Sequence, residues 1–145
     1  MNTANARKAA EFTIVMSRDK EGRPRTLLVP GHGNYHHVIL WWHIDGVSAE
    51  CRVELPHDNY VPCPSRRVCY HILAAVIVAF REKGYRVYLA EDKDNLKRLK
   101  NTGGLLLRIA ARVTGHTVWM LAKGEGIQSY RPQYDPERDI KELFG

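Results

Sequence analysis

The segment from Cys63 to Lys83 constrains the fold more than any other, because side chains of metal-ligand type run without a break into a strongly apolar helix. Cys63-Pro64-Ser65-Arg66-Arg67-Val68-Cys69-Tyr70-His71 leads directly into Ile72-Leu73-Ala74-Ala75-Val76-Ile77-Val78-Ala79-Phe80. On a helix from about Cys69 to Lys83, Ile72, Leu73, Val76, Ile77 and Phe80 cover most of the circumference, with Ala74, Ala75 and Ala79 between them and Gly84 at the end. A helix apolar on nearly every side must be buried, so it is expected to organise the core. Its apolar run is far shorter than the ~20 residues of a membrane span, and no membrane segment is expected.

Alternating and breaker residues predict strands around this helix. Phe12–Met16, Thr26–Val29 and His36–Trp42 read as strands, the last two separated by Pro30-Gly31-His32-Gly33-Asn34. After the Asp45-Gly46 turn, Cys51, Val53 and Leu55 alternate with Arg52 and Glu54, which points Cys51 inward. Tyr60–Cys63 returns as a short strand. Beyond the helix, Tyr85–Leu89, a basic helix over Asp92–Asn101, and the strands Leu105–Val113 and Thr117–Ala122 form a C-terminal β-α-β-β segment. The reading is a single α+β domain over residues 1–145: antiparallel hairpins around one central helix, a frayed N-terminus over 1–10, and a tail over 124–145. In that tail, Asp135-Pro136 could start a short helix carrying Ile140, Leu143 and Phe144.

The chemistry lies at the entry to the central helix, where Cys63, Cys69 and His71 follow the spacing Cys-x5-Cys-x-His. These residues resemble the SWIM zinc finger, a Cys-x-Cys, a spacer, then Cys-x-His and an apolar helix with a small residue three places on. Cys69, His71 and Ala74 match its second half, and Cys63-Pro64 is similar to the second cysteine of its first half. The likeness spans roughly residues 35–83. The first cysteine of that pattern would fall at Val61, which cannot coordinate a metal. A hairpin around Pro56-His57-Asp58 offers a substitute: opposed residues have numbers summing to 114, which pairs Leu55 with Asn59, Val53 with Val61 and Cys51 with Cys63. Opposed Cβ atoms stand ~5 Å apart, near enough for two thiolates to share one Zn²⁺. Cys51 is therefore the first candidate for the fourth ligand, and His57, in the turn itself, is the alternative. A Cys3His set closes a tetrahedron and leaves no open position, which is the pattern of a structural zinc site. The other histidines, His32, His36, His37, His43 and His116, read as structural or surface residues.

Charge and family resemblance bear on partners. The formal charge of +6 and a pI near 9.4 favour anionic partners weakly. Lys93, Lys97 and Lys100 recur at helical spacing beside Arg98, and together with Arg66 and Arg67 they form a candidate face for DNA or RNA. SWIM-like modules, as the resemblance implies, contact DNA or other proteins, so the alternative is a zinc-stapled adaptor for a protein partner. No small-molecule substrate is inferred. A cysteine-dependent enzyme is the third reading, and it is disfavoured because residues two apart on a helix diverge by about 200°, which does not suit a Cys69-to-His71 proton relay. Three cysteines, an odd number, and the polar start Met1–Arg7 carry no sign of a secreted disulfide framework, so a reducing cytoplasmic setting is expected.

Overall fold

The computed structural model describes residues 1–57 and 59–124. The expected tail helix with Ile140, Leu143 and Phe144 lies outside the described residues. In chain order the elements are α1 (Thr3–Ala10), β1 (Ile14–Arg18), β2 (Pro24–Pro30), β3 (Tyr35–His43), β4 (Gly46–Leu55), β5 (Asn59–Pro62), α2 (Tyr70–Arg81), β6 (Tyr85–Ala90), α3 (Asp94–Lys100), β7 (Leu105–Ala111) and β8 (Thr117–Gly124). The fold is mixed α+β: one curled sheet in the order β1-β2-β3-β4-β7-β8-β6, with β5 attached to β4. Among the described residues, no helix is long and apolar enough to cross a membrane.

α2 lies across the inner face of the sheet and is buried along nearly its whole length, from His71 through Ile77 and again at Ala79 and Phe80. Leu27, Val38, Leu40, Val47, Ile109 and Met120 come up from the strands to meet it. Each fully buried aliphatic side chain of this kind contributes about 1.5–3 kcal/mol relative to exposure.

Two expectations are corrected. Residues 1–10 are not frayed: Thr3–Ala10 form a helix whose start is capped by Asn2, with the Asn5 backbone N–H donating to its side chain at 3.1 Å. Ala6, Ala9 and Ala10 are buried, and α1 packs against α2. An apolar face made only of alanines gives a weak periodic signal, yet small side chains are what let two helices approach closely. The sheet is also not wholly antiparallel, because β4 and β7 pair in parallel from Gly46 opposite Arg108 to Ala49 opposite Ala111. A Cβ at position 46 would fall on the Arg108 carbonyl oxygen, so this seam requires glycine there.

The parallel seam shapes the site. One edge of β4 carries β7 along Gly46–Ala49 and β5 along Arg52–Leu55. Between them β4 is left at a fork, and Cys51 stands in it.

Candidate metal centre

The β4/β5 hairpin has the predicted register: Leu55 faces Asn59, Val53 faces Val61, and the Cys63 backbone N–H donates to the Cys51 carbonyl at 3.0 Å. Cys51 and Cys63 are thereby drawn together at the open end of the hairpin. From Cys63 the chain crosses to α2, where Cys69 occupies the N-cap with extended backbone and His71 lies in the first turn. All three thiols are free and half-buried.

A fourth element joins them. β3 pairs with β4 so that His36 lies opposite Val53 and Val38 opposite Cys51, which turns His36 to the inner face and His37 to the outer one. The donor atoms of His36, Cys51, Cys63 and His71 all lie within 4.8 Å of one another, a grouping that could hold a metal ion. Cys69 lies outside that grouping but lines the same cavity as Cys51 and Cys63. The His36 ring stacks on the His71 ring, centroids 3.4 Å apart and planes within 7° of parallel, while His36 Nδ1 is 3.2 Å from Cys51 Sγ. His71 is 6% exposed, and among the described residues neither of its ring nitrogens has a hydrogen-bond partner. An imidazole so enclosed with both nitrogens unsatisfied costs about 1–3 kcal/mol per group unless something accepts their lone pair or proton.

The electrostatics point the same way. Cys63 is held far below the usual thiol range, chiefly by its contact with Cys51, then by Cys69, His36 and His71. Cys51 is pushed far above that range by Cys63, by Cys69 and by burial. For Cys69 the Cys51 contact pulls downward, but the Cys63 contact and burial outweigh it and the thiol ends raised. Burial, more than any neighbour, depresses the His71 imidazolium. Without a cation the cluster thus stabilises one thiolate at the expense of the others; a divalent ion removes that competition.

The remaining candidates lie elsewhere. His57 sits exposed in the β4/β5 turn at φ 66°, beyond Leu55 and thus at the far end of the hairpin, ~13 Å of strand from Cys51; the structure does not bring it to the cluster. His116 accepts the Val68 backbone N–H, His43 bonds Ser48, and His32 is exposed, as structural or surface histidines do. His36 is buried against His71 rather than on the surface, and it joins the donor grouping that the sequence does not assign it to. Arg66, Arg67, Lys93, Lys97, Arg98 and Lys100 are all exposed. Arg67 is engaged by Glu91 at 2.9 Å, Lys97 by Asp94 at 2.9 Å, and Lys93 lies 5.5 Å from the centre of the Trp119 ring.

Scans of protein-family models, of curated proteins and of solved structures found no match to this chain.

Proposed function

We propose that this chain is a SWIM-like module stapled by one structural Zn²⁺, held by Cys51, Cys63, Cys69 and His71. The observation that carries the reading is His71, enclosed beside three thiols with both ring nitrogens unpartnered. The donors of His36 and His71 come close enough to share an ion, but the two rings are stacked so that one ion does not lie in both ring planes. An ion shared between planes 3.4 Å apart would stand about 1.7 Å, half that separation, out of each ring, whereas a Zn–N bond of about 2.0–2.1 Å lies along an in-plane lone pair. One imidazole therefore binds, and His71, which has no other partner, is the better candidate. Zinc supplies charge neutralisation and a cross-link among β4, β5 and α2, with no open position for substrate. Elemental analysis of the purified protein tests this, with one zinc per chain expected and none overturning it.

A nucleic acid is the partner we favour. Besides Arg66, Arg98 and Lys100, the outer sheet face offers Trp41, with the guanidinium of Arg25 5.0 Å and that of Arg112 4.0 Å from its ring centre. Neither arginine forms an ion pair among the described residues. Phosphate contacts make affinity fall steeply with salt, whereas a protein-binding adaptor retains no oligonucleotide even at low salt. Retention on immobilised single-stranded DNA and RNA at low and moderate salt separates the two.

A further inference from the structure

We infer that His36 is a positioning residue of the metal centre: it donates an N–H···S hydrogen bond to the Cys51 thiolate and walls the His71 ring, and so sets how firmly the zinc is retained. The inference rests on the zinc reading above and goes beyond its ligand set. Three observations carry it. His36 Nδ1 is 3.2 Å from Cys51 Sγ, within reach for a bond to sulfur. Its ring is parallel to that of His71 at 3.4 Å, which fixes the orientation of the ligand ring while excluding His36 from the same ion. The ring also sits in a slot made for it, since a Cβ added to Gly31 would come within 2.6 Å of His36 Cδ2 and 2.8 Å of Nε2.

Gly31 belongs to the turn joining β2 to β3, closed by its own N–H donating to the Asn34 carbonyl at 3.0 Å. The bare backbone on one side and the His71 ring on the other hold the imidazole edge toward Cys51. A Cys3His centre carries one more negative charge than its ion neutralises, and an N–H aimed at one sulfur lowers that sulfur's tendency to take up a proton, an electrophile or a competing metal. Partners of this kind around a metal ligand are worth about 10–100-fold in retention.

Two substitutions divide the roles of the ring. His36→Phe keeps a flat ring against His71 and removes the N–H; His36→Asn keeps an amide N–H near Nδ1 and removes the ring. Zinc content, the rate of zinc transfer to a chromogenic chelator and the rate of thiol alkylation are measured on the full zinc-loaded chain. The cobalt-substituted protein reports the thiolate-to-metal charge-transfer bands. His36→Phe should still bind one zinc per chain but release it about 10–100-fold faster, with shifted charge-transfer bands and faster alkylation. His36→Asn should recover most of the retention, and Gly31→Ala, which pushes the ring out of its slot, should move release in the same direction as His36→Phe. Gly31→Ala and His36→Asn carry the test if the Phe variant does not fold. Release from His36→Phe at the wild-type rate, or from His36→Asn as fast as from His36→Phe, overturns the role of the N–H. Loss of stoichiometric zinc in His36→Asn with retention in His71→Ala would make His36 a ligand and overturn it too. Wild-type protein without zinc sinks the metal reading itself, and this inference with it.

Discussion

Cys51 and His57 compete for one role in the sequence, and the backbone separates them. Cys51 stands at the fork of β4 with its carbonyl bonded to the Cys63 N–H, whereas His57 occupies the exposed turn in a left-handed conformation, φ 66°, that L side chains adopt at a cost. His57→Gly should therefore leave zinc content unchanged, and relief of a left-handed conformation costing about 1–2 kcal/mol, less glycine's entropic cost of about 0.5–1 kcal/mol, should raise stability slightly in denaturant unfolding. Cys51→Ser should abolish stoichiometric zinc. Zinc loss in the glycine variant, or full retention in the serine variant, would reverse the assignment. Cys51 was legible because a tight turn fixes which residues of a hairpin oppose one another. His36 was not, since nothing within Tyr35–His43 reveals which of its two faces will meet α2, and the Gly31 slot that receives its ring looks in sequence like any turn glycine.

The elements followed the same division between local and distant information. Alternation and breakers located β2 through β8, and the apolar circumference of α2 announced its burial, because each of those signals is written within a few residues. The parallel seam of β4 with β7 joins segments more than fifty residues apart and depends on Gly46 accepting the Arg108 backbone, which no short-range pattern encodes. α1 escaped detection for a different reason: Ala6, Ala9 and Ala10 are spaced three and four apart as a helix face requires, but alanine is also the residue a solvent-exposed helix would carry. Its burial gives a direct test. Ala6 is fully enclosed between α1 and the core, so Ala6→Leu has no room for the added carbons and should lower stability by about 1–3 kcal/mol in denaturant unfolding. A neutral result would mean that α1 does not pack on α2 as described.

The molecule as a whole is held at one point in two senses. The strands β1 to β4 join β7, β8 and β6 along the short β4–β7 seam, and α2 packs on both groups. The candidate metal centre sits where β4, β5 and the start of α2 converge, so on the zinc proposal stripping the ion should loosen both halves together rather than fray one hairpin. With free zinc a thousandfold above its Kd, binding contributes about 4 kcal/mol, which for a chain of this size amounts to a Tm higher by about 8–16 °C. Chelation should remove that difference in a single transition. Acid should act in the same direction for two reasons. His71 is kept neutral by burial below its ordinary value of 6.5, so below that pH the unfolded chain takes up a proton that the folded chain refuses, and stability is lost as pH falls through this window. In the zinc-loaded protein protons also compete with the ion for the three thiolates and His71, which steepens the loss. Thermal unfolding between pH 5 and 8 should show a Tm that after chelation falls shallowly below about 6.5, and that with zinc bound falls steeply across the whole range, because unfolded thiols hold their protons below about 8.5. A zinc-loaded protein whose Tm is the same at pH 5.5 as at pH 7.5 would mean that neither His71 nor the thiolates respond to acid, and that the ion is held somewhere else.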